Sequence, residues 1–314
     1  GVHLLAQLLA GGHQGLGLGV DRGLVVALQG FFQLLDGGLD LVLLAGFQLV
    51  AVLAQLLLQQ GQEAGDVAQR TGVEIGAMTL RNAGADAAAQ LQRYAQLKLN
   101  RFHIGLETGN DEILKRMRKG VTKQAQIEAG IKAKAAGIEI NEFYMPGMGG
   151  REYARQSALD TADVMNQVNP DFIRIRSMAL AENLEMYEDY ETGLLTRPND
   201  VETIGEIRLF LENLHGITSW VDSDHILNIL LELKGRLPQD KDRMLALIDR
   251  FLDLPEDQQM LFRLGRRLGL MGQLRDLSNQ VLVDKVKQTM DQANIDKTNI
   301  DAVCDRLMIR AIPI

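Results

Sequence analysis

The sequence predicts an α/β protein made of consecutive strand–helix units on a parallel sheet. Two observations carry this expectation. Short apolar runs are bounded on one side by turns containing glycine or proline: Phe102 to Leu106 and IEINEFYM from Ile138 are followed by one, and FIRIRSM from Phe172 is preceded by Asn169-Pro170-Asp171. Charged or amphipathic stretches of helical character lie between them, one opening at Asn110 or Asp111 and one over roughly residues 151–168. Strand, helix, strand, helix, strand at this rhythm is what βα repeats require.

The first unit, RFHIGLETGNDEILKRMRKG from Arg101 to Gly120, is the most informative. A strand stops at Glu107, a Thr-Gly turn follows, and a helix begins at once. Ligands of α/β proteins gather at the carboxyl ends of strands, and a carboxylate placed there can hydrogen-bond the two hydroxyls of a ribose. On spacing alone, Glu107 serves equally well as a cap for the next helix. That helix carries Lys115, Arg116, Arg118 and Lys119 with Asp111 and Glu112, a pattern that suits i,i+4 pairs on a solvated face.

In the second unit, alternation places Asn141, Phe143 and Met145 on one face of the strand. A polar Asn141 on an interior face needs a hydrogen-bond partner, from a ligand or from the protein itself. The strand ends in Pro146-Gly147-Met148-Gly149-Gly150. In the third, Arg174 and Arg176 alternate with Ile173 and Ile175, so one face is basic and the other apolar. Arg176 reaching into a central cavity suits an anion, and an ion pair on the barrel wall is the plainer reading.

These motifs, in order, resemble the second half of a radical S-adenosylmethionine (SAM) enzyme. The resemblance rests on the strand ending in Glu107, the glycines Gly147 and Gly149, the run NPDFIRIR from Asn169, and SDHILN from Ser223 to Asn228. It covers about residues 91–268. It implies a partial (β/α) barrel of radical SAM type with a C-terminal helical extension. It also implies Glu107, Asn141, Gly147, Gly149, Arg176 and Met178 as cofactor-binding positions, with Glu107 at the SAM ribose and the Met178 backbone near adenine. One of the cations that follow Glu107 could then meet the SAM carboxylate. The family reaction is reductive cleavage of SAM to a 5′-deoxyadenosyl radical, which takes a hydrogen atom from substrate.

The family needs three cysteines, usually C-x-x-x-C-x-x-C, upstream of the Glu107 position to hold a 4Fe–4S cluster. This chain has one cysteine, Cys304, far downstream. The cluster of the intact family is therefore not expected here, and the chain is expected to be inactive alone. Residues 1–97 carry eleven charged side chains and no lysine, and are built largely of Leu, Gln, Gly, Ala and Val. Leu and Gln codons can be reverse complements, as can Gly and Ala codons, so this bias is what a wrongly read strand produces. The expected organisation is an atypical segment over 1–90, mistranslated or fused, a half-barrel over 91–195, and a helical region over 196–314.

Composition limits the remaining possibilities. A net charge of −8 and a pI near 5.2 give no nucleic-acid footprint, which leaves a small molecule or an unknown substrate as partner. Leu41 to Leu58 is just long enough to cross a bilayer, but Gln48 and Gln55 interrupt it and no Lys or Arg flanks it. A buried helix is preferred there, with a cytoplasmic setting, since one cysteine permits no internal disulfide. Gly15, Gly17 and Gly19 do not make a dinucleotide fingerprint. Ser223 or Asp224 reads as the N-cap of a helix over HILNILLELKG, rather than as part of a metal site with Asp222 and His225. Beyond Pro238 the chain reads as helical, with starts after Pro238 and at Pro255, and with Met244, Leu245, Ile248, Phe251 and Leu252 on a buried face. A non-catalytic helical binding or scaffold protein, associated with a membrane through 41–58, is the alternative reading.

Overall fold

A computed structural model describes residues 87–96 and 100–311, apart from positions 183 and 185. The chain divides into units 1–62 and 63–314, and all that follows concerns the second. Most of the 1–90 segment, with the Gly15–Gly19 stretch and the Leu41–Leu58 run, lies outside the described residues.

Five strands form one sheet in chain order. β1 (Arg101–Glu107), β2 (Glu139–Tyr144), β3 (Phe172–Ile175) and β4 (Trp220–Asp222) run parallel, and β5 (Lys234–Arg236) lies antiparallel along β4. Helices α2 (Asp111–Arg116) and α3 (Lys123–Ala135) connect β1 to β2, and α4 (Gly150–Val168) connects β2 to β3. α5 (Tyr187–Glu191) and α6 (Asp200–Glu212) connect β3 to β4, and α1 (Ala87–Gln96) precedes β1. This is the expected α/β architecture, a partial barrel of βα units.

Strand pleating sorts the side chains onto two faces. Phe102, Ile104, Leu106, Ile140, Ile173 and Ile175 are all buried. Tyr144, on the same face, packs its ring 4.4 Å from Phe210 of α6. That face carries the helices. On the other face, the inner face of the half-barrel, Arg101 lies 3.9 Å from the Phe172 ring centroid, His103 Nδ1 lies 3.4 Å from Asn141 Nδ2, and Arg176 covers the Phe143 ring. Asn141 thus finds its partner within the protein.

Side-chain caps set the helix starts. Asn110 accepts from the Ile113 amide at 3.1 Å to open α2, and Thr122 accepts from Ala125 at 3.2 Å to open α3. Asn199 and Glu202 form a reciprocal capping box on α6. Each such cap contributes about 1 kcal/mol. The Glu112–Arg116 pair anticipated from spacing is present at 3.1 Å.

The extension consists of α7 (Lys241–Leu252), α8 (Glu256–Arg267), a 3-10 turn at Leu274–Ser278, α9 (Gln280–Ala293) and α10 (Ile300–Arg310). Met244, Ile248 and Phe251 are buried as their spacing requires, with Phe251 and Phe262 in ring contact. Asp200, at the start of α6, receives Arg263 at 3.1 Å and Arg267 at 2.5 Å from α8, and Arg263 also pairs with Asp301 of α10. The extension is thereby tied to the barrel by buried charge, which is costly to break on one side only.

The segment after β4 departs from expectation. HILNILLELKG is not a helix but an irregular loop that returns as β5. Asn228 holds it, donating to Ile175 O and Ser223 Oγ, both at 2.8 Å, and accepting from the Ser177 amide at 2.8 Å. Arg266 takes the carbonyls of Ile226, Asn228 and Ile229, and Arg267 takes that of Leu227. Backbone groups that a helix would satisfy internally are satisfied here from outside, so the apolar spacing of Leu227, Leu230 and Leu233 misleads.

Candidate functional site at the strand ends

Glu107 ends β1 with φ of 63°, in the left-handed region, and the Thr108 amide closes a tight turn onto Leu106 O at 2.8 Å. A γ-turn of this hand is rare, and positive φ in a non-glycine residue costs on the order of 1–3 kcal/mol. The turn interrupts the register between Ile104 and Glu107, while the Met145 amide donates to Glu107 O at 2.8 Å. The carboxylate folds back over Gly105: a Cβ there would sit 2.4 Å from Glu107 Oε1. Lys119, just past α2, donates to that same oxygen at 3.0 Å. Among the cations considered for a ligand carboxylate, Lys119 is thus spent on Glu107, and Arg116 on Asp189 and Glu112.

Beside Glu107 lies Glu142 of β2, which sequence reasoning passed over. It is 1% exposed and paired in register with Ile104 and Ile173, and its Oε2 has no partner among the described residues. Burial, and secondarily the negative charge of Glu107, push its carboxyl up to about 8. Glu107 thus meets a lysine, whereas its buried neighbour favours the neutral acid.

The turn after β2 is built around a third carboxylate, Glu206 of α6. It accepts from the Gly147 amide and the Tyr144 hydroxyl, both at 2.8 Å. Its burial raises its affinity for a proton to about 7, against the pull of those two donors. Tyr190 donates to the carbonyls of Gly147 and Met148. Gly147 has φ of 85°, which favours glycine, and Gly149 is packed so closely that a Cβ would meet Ile113 Cδ1 at 2.5 Å. The two glycines serve different ends: one makes the turn, and the other lets the turn rest on α2.

Met178, after β3, and Met145, after β2, are half-buried and pack with Met117, Met148 and Met186 against Ile113 and Leu195. Thioethers in such numbers make an adaptable apolar wall at the strand ends. Arg176 holds its guanidinium 4.4 Å from the Phe143 ring centroid. A small cleft behind the β2 turn is lined by Pro146, Gly147, Met178, Pro198, Asp305 and Met308.

The strand-end positions expected from sequence, Glu107, Gly147, Gly149, Arg176 and Met178, lie at the carboxyl ends of β1, β2 and β3, and Asn141 lies lower on the inner face. Glu142, Glu206 and Asn228 were not found in advance. A buried acid inside a strand and a distant helical acid leave no local signal, although Asn228 belongs to the SDHILN motif.

A three-thiolate cluster site does not fit these residues. Cys304 is the chain's single cysteine, it is buried against Asp200 and the α8 arginines, and burial pushes its thiol up to about 12. Among the described residues no three His, Cys, Asp or Glu side chains gather as a metal would need, and no helix is long and apolar enough to cross a membrane.

The family model described as radical SAM superfamily matches residues 37–162. A tRNA uridine(34) acetyltransferase of Methanocaldococcus jannaschii is 25% identical over 138 residues, 44% of this chain and 25% of the relative. A probable threonylcarbamoyladenosine tRNA methylthiotransferase of the same organism is 25% identical over 173 residues, 54% of this chain and 39% of the relative. The chain thus spans between a quarter and two fifths of these relatives' lengths. Two solved structures are similar at lower identity. Methanocaldococcus infernus Elp3 with an N-terminal deletion has a TM-score of 0.38 at 18% identity, covering 61% of this chain and 42% of that one. Methylornithine synthase has a TM-score of 0.35 at 15%, covering 69% and 64%. The helical-scaffold alternative finds no support here. The expectation that no nucleic acid is involved also loses support, since the named relatives act on tRNA; net charge reports on a whole surface, whereas a substrate meets only one part of it.

Proposed function

We propose, from the premise that this chain belongs to the radical SAM superfamily, that its strand ends form the adenosine-binding half of a SAM site. The observation that carries this reading is Glu107, a strained residue whose carboxylate is fixed by Lys119 at the carboxyl end of a parallel strand. Strain of this kind persists where the surroundings enforce it, and it gathers at ligand sites. The Glu107 carboxylate accepts from the ribose hydroxyls, and the thioethers of Met145 and Met178 line the purine. Gly147 and Gly149 shape the turn beside them, and Glu206 and Tyr190 keep that turn fixed. In the intact family, SAM bound in this way supplies a 5′-deoxyadenosyl radical once reduced by the cluster. The thiolates for that cluster are not among this chain's residues, so no radical step is assigned to it. The relatives' names support tRNA as the substrate class.

A thermal-shift titration tests the reading: millimolar SAM raises the melting temperature of the wild-type chain, and Glu107→Ala abolishes the rise. An equal rise in both proteins, or none in either, removes Glu107 from the site.

A further inference from the structure

The inner face of the sheet carries several cations, and all but one of those named here meet a carboxylate. Arg101 pairs with Glu139 at 2.7 Å and Arg174 with Asp224. Arg176 makes no ion pair among the described residues, and its buried Nε has no hydrogen-bond partner. Stacked on the Phe143 ring, a guanidinium keeps its N–H edge for an acceptor in its own plane. His225, on the loop after β4, also has a buried ring nitrogen, Nδ1, without a partner among the described residues. The Arg174–Asp224 pair and the bonds from Asn228 to Ile175 O and the Ser177 amide fix the chain on both sides of His225, next to Arg176, and the charge of Arg176, after burial, lowers the imidazole's proton affinity.

The setting is rigid. Asn228 ties the His225 loop to the end of β3 on either side of Arg176, through Ile175 O and the Ser177 amide. Arg266 and Arg267 hold the carbonyls that follow. We infer that Arg176 and His225 form an oxyanion site for a backbone phosphate of the RNA substrate, separate from the Glu107 ribose site. Arginine is the residue suited to phosphate, because its planar fork matches two oxygens at once. The inference rests on the tRNA reading given above.

The test is fluorescence anisotropy of a labelled RNA stem–loop on the full chain over a series of KCl concentrations, with SAM affinity measured by calorimetry on the same proteins. Each lost phosphate contact lowers the log–log salt slope by about 0.7–0.9. Arg176→Gln is expected to weaken RNA binding about tenfold and to lower the salt slope by one contact. Arg176→Lys, which keeps the charge, retains the slope while binding more weakly, and guards against a Gln variant that fails to fold. RNA affinity and slope unchanged in Arg176→Gln overturn the proposal, as does wild-type protein that binds no RNA. A parallel fall in SAM affinity also overturns it, by assigning Arg176 to the SAM carboxylate. If wild type binds no SAM but Arg176→Gln still lowers the RNA slope, the phosphate site stands and the adenosine reading falls.

Discussion

At Glu107 backbone and side chain make opposite demands. The left-handed conformation suits glycine, whereas a ribose contact needs the carboxylate. Glu107→Gly and Glu107→Ala both delete the acid, but only glycine accepts φ of 63° without strain. The glycine variant should therefore be the more stable by about 1 kcal/mol in urea unfolding; an alanine variant of equal stability would show that the turn is not strained. Glu142 gives a prediction in pH. Its carboxyl is raised from 4.5 to about 8, so the fold favours the neutral acid. The stability it contributes is complete below its ordinary value, erodes as pH rises through that window, and is lost above the folded value. Glu142→Gln stays neutral and should escape this erosion, which amounts to as much as about 1.4 kcal/mol per pH unit. Unfolding curves for wild type and variant that run parallel across the window would contradict this.

Among the elements, legibility followed locality. β1 to β3 and their helices could be read because each declares itself within a few residues: alternation in Phe102–Leu106, a cap at Asn110, a glycine turn after Tyr144. The loop after β4 could not, because its shape comes from Asn228 bonding back to β3 and from arginines on α8. Leu227, Ile229, Leu230 and Leu233 are buried, as a helix face would be, but by tertiary contacts and not by helical period. The site shows the same division. Glu107 and the glycines were visible as a motif, whereas Glu206 reaches the Gly147 amide from 59 positions away. Two variants test this account of the elements. Asn228→Ala removes three buried hydrogen bonds and should cost roughly 3 kcal/mol or more; a loss under about 1 kcal/mol would mean that the loop is held elsewhere. Gly149→Ala drives a methyl into Ile113 and should cost about 1–3 kcal/mol in the same assay.

For the molecule as a whole, the adenosine half-site proposed above stands without the thiolates that a cluster needs. The strand ends keep a carboxylate, a glycine turn and a methionine wall, while the chain's one thiol is buried and hard to ionise. Under strongly reducing conditions with SAM, the chain should release no 5′-deoxyadenosine, and its appearance on chromatography would refute that expectation. The relatives named for tRNA support the substrate class proposed above, and the Arg176–His225 pair is its proposed point of contact. Everything turns on whether the adenosine half still binds. Isothermal titration of SAM into the full chain, run beside Glu107→Gln, measures this directly. Saturable binding that weakens about tenfold or more in the variant is the predicted result, as expected for loss of a charge-assisted hydrogen bond. No heat from wild type, or equal affinity in both proteins, would contradict it.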